Sequence, residues 1–215
     1  MIVHDPIYGK FSIPRYLRNL AMDPAVRRLS QVRLLNAPSA SIAALSDVRR
    51  YSHTLGVLSL ALRNPLAAYS DQERMAFHAS VLLHDIGTPP FAHLLEYHLR
   101  EMLPEGWNHE EMIDRIIWDN GAPENRAHQI FAGRSTEVRR VLKEGNLDAS
   151  IVEDLVTGKH PLAKLLFGTI DFDNLDNVTR MAWGLGLLTT TEPILKIAEN
   201  IGVSRDGKLR LGQNG

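Results

Sequence analysis

A chain of 215 residues, 44% apolar and 23% charged, has the composition of a globular protein that can bury a core without staples, and it has none, because cysteine is absent. The missing thiols exclude a disulfide scaffold, a thiolate zinc site, an iron–sulfur cluster and a cysteine nucleophile. The net charge of −1 argues against a dedicated nucleic-acid binder, and no apolar run nears the ~18–20 residues of a membrane span.

The first residues, Met1-Ile2-Val3-His4-Asp5-Pro6, lack the layout of a secretory signal, and a cytoplasmic location is the expectation. Between Phe11 and Arg50 stand seven arginines (Arg15, Arg18, Arg27, Arg28, Arg33, Arg49 and Arg50) against Asp23 and Asp47, a local excess of +5. The guanidinium fork suits phosphate or carboxylate, so a phosphorylated small molecule accounts for this stretch as well as a solvated helical face does. Asp23-Pro24 predicts an N-cap and a proline at the first helical position, with the helix running through Leu35. A loop from Asn36 to Ser46 leads into a helix over about Ser46 to Asn64, stopped by Pro65, with Val48, Tyr51, Leu55, Leu58 and Leu62 as one apolar stripe. Ser70-Asp71-Gln72-Glu73 has capping-box spacing. The helix behind it carries Met75, Ala79, Leu82, Leu83 and Ile86 on one face and ends at Gly87, before Pro89-Pro90.

A short helix is expected over His93 to Met102. Asn108 caps another that reaches about Asn120-Gly121, with Met112, Ile113, Ile116 and Ile117 inward. Helices follow near 123–132, 136–144 and 148–157, and a long one from Ala163 carries Asp171 through Leu188. Strand alternation is nearly absent apart from a short hairpin around Arg205-Asp206-Gly207. The fold class is all-α, in a single domain over 1–215 whose helical core spans about 46–190.

Three contexts carry chemistry. Arg50, His53, Val57 and Leu60 occupy the side of their helix opposite its main stripe, so that helix is buried all round and its Arg and His need polar partners. His84-Asp85 sits at a helix end beside Gly87, where neighbouring residues can turn toward one point and the carbonyl terminus favours a cation. Asp171, Asp173 and Asp176 crowd into six residues between apolar runs; Asp173, Asn177 and Arg180 share a face and Asp176 can pair with Arg180. Separately, each has a bland alternative: a satisfied core histidine, a capping pair, an exposed acidic stripe. Together they supply two imidazoles and two carboxylates from three separated helices, a set suited to a first-row divalent metal with open positions. No His-Glu-x-x-His, P-loop, Gly-x-Gly-x-x-Gly or Gly-x-Ser-x-Gly pattern occurs.

The order His53, His84-Asp85, Asp173 resembles the HD-domain metal-dependent phosphohydrolases. His4-Asp5-Pro6-Ile7-Tyr8-Gly9, Arg27-Arg28-Leu29, Arg50-Tyr51-Ser52-His53-Thr54-Leu55-Gly56-Val57, His84 through His93, Asn108-His109-Glu110 and Asp171-x-Asp173-x-x-Asp176 are similar to elements of the deoxynucleoside triphosphate triphosphohydrolase branch. The resemblance implies that His53, His84, Asp85 and Asp173 hold a divalent ion (iron, manganese or another first-row metal, with magnesium also compatible). It implies that His93 and His109 face the scissile phosphate, that Glu96 orients His93 and that Arg50 binds phosphate; Arg28, on the preceding Arg-rich helix, adds charge for the same substrate. Four positions depart from the branch. Thr88 stands for a histidine, Glu96 for an aspartate, Asn174 for a phosphate-binding lysine and Asn177 for a tyrosine that packs on the sugar. The chain also stops at Gly215, where members of that branch continue with further helices, so a compact variant or a shortened chain without their allosteric apparatus is expected.

The expected activity is hydrolysis of deoxynucleoside triphosphates to nucleoside and triphosphate. A nucleoside monophosphatase or cyclic-nucleotide phosphodiesterase would use the same ligands, and a non-catalytic nucleotide-binding regulatory module would keep the metal for structure. The presence of both His93 and His109 disfavours the last. The implied partner is a nucleotide, with no nucleic acid and no membrane; a homo-oligomer is compatible with the sequence.

Overall fold

The computed structural model describes residues 1–35, 47–102, 109–118 and 137–212, with residues 93, 94 and 109–111 as backbone only. The chain opens with an antiparallel hairpin, β1 (Ile2–Asp5) against β2 (Gly9–Ser12), Asp5 facing Gly9. Four-residue strands are too short to show alternation, and the sequence reading does not include them. The turn holds them. Asp5 Oδ1 accepts from the backbone N–H groups of Ile7 and Tyr8 at 2.8 and 3.1 Å, and Gly9 takes a φ of 75° that favours glycine.

A 3₁₀ turn (Arg15–Leu17), α1 (Arg18–Met22) and α2 (Pro24–Arg27) follow, with Asp23 capping α2 through the Ala25 N–H at 2.8 Å. The helix expected through Leu35 ends early, as a 3₁₀ turn over Arg28–Gln31. Beyond it the backbone groups find partners across the chain: Arg50 N–H donates to Val32 O and Leu34 N–H to Val48 O, both at 2.9 Å. Those bonds satisfy the Leu34 N–H and the Val32 carbonyl without a longer helix. The loop from Asn36 to Ser46 lies outside the described residues.

Helix α3 (Arg50–Arg63) starts later than expected because Val48 is taken by that pairing, and it ends at Asn64 before Pro65. His53 through Ala61 are buried without a break, which makes α3 the central helix, packed between α4 (Asp71–Leu83) and the later helices. The capping box of α4 is present: Ser70 Oγ accepts from the Glu73 N–H, and Glu73 reaches back to the Ser70 N–H at 2.8 Å. The regular helix stops at Leu83, so His84 to Gly87 form turns rather than a last helical stretch.

Next come α5 (His93–Met102) and α6 (His109–Ile117), whose Ile113, Ile116 and Ile117 are buried. The Asn108 cap, the Asn120-Gly121 end and the helix near 123–132 lie outside the described residues. Then follow α7 (Val138–Glu144) and α8 (Ala149–Val156), the latter capped by Asp148 and packed on α4. The long helix expected from Ala163 to Leu188 is two pieces. Pro161–Leu165 forms a 3₁₀ turn, and α9 (Phe172–Gly184) begins afresh with Asp171 as its N-cap, accepting from the Asn174 N–H at 2.7 Å. Gly168 marks the break, for a Cβ there would stand 2.2 Å from Lys164 O. Helix α10 (Glu192–Asn200) leads into the expected hairpin, β3 (Ile201–Val203) with β4 (Leu209–Leu211). The described residues thus form ten α-helices and two short hairpins, an all-α architecture. No helix among them is long and apolar enough to cross a membrane.

Candidate metal centre

Three elements meet around α3. It supplies Arg50 and His53, the end of α4 supplies His84 and Asp85, and the first turns of α9 supply Asp173 and Asp176. His53 is buried between two carboxylates, with Nε2 2.7 Å from Asp173 Oδ1 and Nδ1 2.7 Å from Asp176 Oδ2. His84 lies edge-on to it, ring centroids 5.6 Å apart. His84 Nδ1 donates to Val81 O at 2.7 Å, which leaves Nε2 as the ring's acceptor atom; it is buried without a hydrogen-bond partner. That atom stands 3.7 Å from Asp173 Oδ1 and 3.6 Å from Asp85 Oδ2.

One ligand atom from each of His53, His84 and Asp173 falls within 4.8 Å of the others. Nitrogen and oxygen ligands at 2.0–2.2 Å from one ion stand about 3 Å apart when adjacent, so these three side chains fit a shared cation. The charges agree. Among the described side chains joined in this cluster, the carboxylates of Asp5, Asp85, Asp173 and Asp176 outnumber the guanidinium groups of Arg50 and Arg180 by two. Burial alone would lower the His53 pKa, but its hydrogen bonds to Asp173 and Asp176 push it up to about 10. His84 is raised too, because Asp85 and Asp173 outweigh its burial. Asp173 is held well below the usual carboxylate range by the two imidazoles against the opposing effect of burial, and Asp85 likewise by Arg50 and the imidazoles. A pocket that draws protons onto two imidazoles is one that calls for positive charge, which a divalent ion supplies directly.

Asp85 and Arg50 reach the same corner engaged with each other: Arg50 Nη1 contacts both Asp85 oxygens at 2.7 and 2.8 Å, and Thr88 Oγ1 donates to Oδ1 at 3.1 Å. Arg28 Nη2 donates to the carbonyls of Ile86 and Thr88 at 2.8 and 2.6 Å, so it braces the turn that presents His84 and Asp85. His93 and His109 are the first residues of α5 and α6; their side chains lie outside the described residues. Glu96 is buried and pairs with Arg100 at 3.0 Å. The turn into α5 carries two consecutive non-glycine residues at positive φ, Phe91 (65°) and Ala92 (46°). Such conformers cost of order 1–3 kcal/mol each and persist where the surroundings impose them.

The resemblance passes over how Asp176 and Asp171 are used. Asp176 pairs with Arg180 as the spacing suggests, and it is also the partner behind His53, while Asp171 caps α9. A signal for the first was available: Asp176 follows Asp173 by three residues, which places both on neighbouring parts of one helix face. Asn174, in place of the lysine, is tied to Asp171 Oδ2 at 3.0 Å, and the Asn177 side-chain oxygen is buried without a partner.

No protein-family model matches the chain. It is 26% identical over 133 residues to the deoxynucleoside triphosphate triphosphohydrolase SAMHD1 of Gallus gallus, and 25% identical over 134 residues to the protein of that name from Danio rerio. These alignments take in 55% and 56% of this chain but 22% and 21% of the relatives, so the chain spans about a fifth of their length. Its fold matches a phosphohydrolase from Bacteroides thetaiotaomicron (TM-score 0.73, 24% identity) over 98% of this chain and 49% of that one. It also matches a hypothetical protein from Aquifex aeolicus (TM-score 0.74, 23% identity) over 100% of this chain and 54% of that one. The chain resembles the HD-domain phosphohydrolases in its motifs and shares its fold with these structures.

Proposed function

We propose that this chain is a metal-dependent phosphohydrolase acting on nucleotides, with deoxynucleoside triphosphates as substrates and nucleoside plus triphosphate as products. The observation that carries the reading is the convergence of His53, His84 and Asp173 on one point. Asp85, 3.6 Å from His84 Nε2, completes the ligand set. The chemistry an ion supplies there is acidification of water toward a pKa of ~7, which provides hydroxide near neutral pH. The protein's own residues do the rest. Arg50 and Arg28, at the corner beside Asp85, bind phosphoryl oxygens, and their charge stabilises negative charge that develops there. His93 and His109, the first residues of α5 and α6, are the groups that act on the scissile phosphate in this reading, one of them giving a proton to the leaving oxygen as the bond between phosphorus and O5′ breaks. Glu96, one turn along α5, orients the His93 ring. Relatives named for triphosphohydrolase activity support the substrate class.

A second reading, a nucleoside monophosphatase or cyclic-nucleotide phosphodiesterase, is favoured by Asn174: it stands where the resemblance expects a phosphate-binding lysine, and it is bound to Asp171. One assay separates the two. Protein loaded with Mn(II) is incubated with deoxy- and ribonucleoside tri-, di- and monophosphates and with cyclic nucleotides, and the products are identified. Tripolyphosphate supports the first reading, orthophosphate from monophosphates alone or nucleoside monophosphate from cyclic nucleotides supports the second, and no product with any nucleotide sinks both.

A further inference from the structure

The N-terminal hairpin grips a helix 175 residues away in sequence. Asp5, the last residue of β1, closes its own turn with Oδ1 and with Oδ2 accepts from Arg180 Nη2 at 3.1 Å. Arg180 meets Asp176 with two prongs, Nε to Oδ2 at 2.9 Å and Nη2 to Oδ1 at 2.8 Å. Asp176 Oδ2 in turn faces His53 Nδ1 at 2.7 Å, and all four side chains are buried. A carboxylate locked against a guanidinium only accepts hydrogen bonds. Nδ1 therefore keeps a proton directed at Asp176, and Nε2, which faces Asp173 and His84, is the nitrogen a metal ion would take. Gly56, one turn beyond His53, admits this arrangement: a Cβ there would stand 2.0 Å from Asp176 Oδ1 and 2.2 Å from Arg180 Nη2.

Buried ion pairs add little net stability over apolar residues of the same volume, so a chain of three charged side chains ending on one imidazole needs another reason to exist. We infer that Asp176, Arg180 and Asp5 are positioning residues for His53, and that the N-terminal hairpin is thereby a working part of the metal centre. Asp176 sets the tautomer and direction of the ring. Arg180 holds Asp176 ionised and in place, and Asp5 anchors Arg180. The inference rests on the reading of His53 as a metal ligand.

The test is the affinity of the full chain for Mn(II), measured by titration calorimetry, with circular dichroism to verify the fold. Partners that orient a ligating histidine are worth roughly 10–100-fold in affinity, so Asp176→Asn is expected to raise the Kd by that factor. Asp5→Asn, whose amide can still close the β1–β2 turn, is expected to raise it by a smaller one. Because Asp176→Asn leaves the buried Arg180 charge with Asp5 alone, the double variant Asp176→Leu/Arg180→Met makes the same test without it. An unchanged Kd in whichever of the two Asp176 variants folds overturns the inference, and a wild-type chain that binds no Mn(II) overturns the metal-centre reading instead. Visible absorption of the Co(II)-loaded Asp5→Asn protein gives a second readout: a changed ligand-field spectrum supports positioning, and a spectrum identical to wild type with an identical Kd overturns it.

Discussion

His53 and His78 sit on adjacent helices of one core, both screened from water, and their surroundings displace their pKa values in opposite directions. His53 on α3 lies between Asp173 and Asp176 and is pushed up to about 10; His78 on α4 faces the Tyr16 hydroxyl at 2.8 Å and is pushed down to about 4. Burial works against the charged ring in both. At His78 it prevails, with Arg74 adding like charge, whereas at His53 two carboxylates overturn it. One face of the α3–α4 pair is thus built to hold positive charge and the other is ordinary core, although each carries a buried histidine.

Removing a candidate ligand from the charged face should have the largest effect. His53→Ala or Asp173→Ala, loaded with Mn(II) and desalted, is expected to lose metal by more than the roughly 10–100-fold that loss of an orienting partner costs; full occupancy by mass spectrometry of the metal would erase the contrast. Gly56→Ala attacks the same face through packing. Its Cβ displaces the Asp176–Arg180 pair, and breaking a buried pair costs about 3–5 kcal/mol, to be read as a lowered midpoint in urea, with a wild-type midpoint counting against the geometry.

The neutral face is tested by pH. With a folded pKa of about 4 against an ordinary 6.5, His78 leaves the unfolded chain binding more protons between those values, so its contribution is complete above pH 6.5 and is lost as pH falls toward 4. The full span is worth about 3 kcal/mol. His78→Gln should flatten the stability slope between pH 7 and 5 in urea titrations, and an unaltered slope would place the titration elsewhere. The smallest effect belongs to the far end of α4. Ser70→Ala removes the cap and should cost about 1 kcal/mol while Mn(II) content stays at the wild-type level, since the cap lies at the opposite end of the helix from His84.

Much of this is legible in the sequence alone. The Ser70–Glu73 box, the Asp23-Pro24 start, the Pro65 stop and the hairpin around Gly207 are local signals, and each appears where the residues place it. The failures share a cause. The helix expected to reach Leu35 yields to pairing with residues 48–50, and the one expected from Ala163 is broken at Gly168 and restarted by Asp171. In both places the deciding contacts either come from a distant segment or are caps that periodicity passes over. At the centre, the grouping of His53, His84 and Asp173 was readable from residue type and order, while the role of Asp176 behind His53 was signalled only by its three-residue spacing from Asp173.

Residue order alone determined the all-helical pattern, the buried character of α3 and the placement of imidazoles and carboxylates in three separate segments. Those properties follow from side-chain periodicity and capping, which act within a few residues. Which carboxylate meets which ring nitrogen was settled by packing. Asp173 and Asp176 flank His53 from 120 and 123 residues away, and Asp5 reaches Arg180 across 175. A single glycine at position 56 leaves the space that lets α9 bring its ion pair against α3. Hydrogen bonds act over about 3 Å, and only the folded chain brings groups so distant in sequence within that reach.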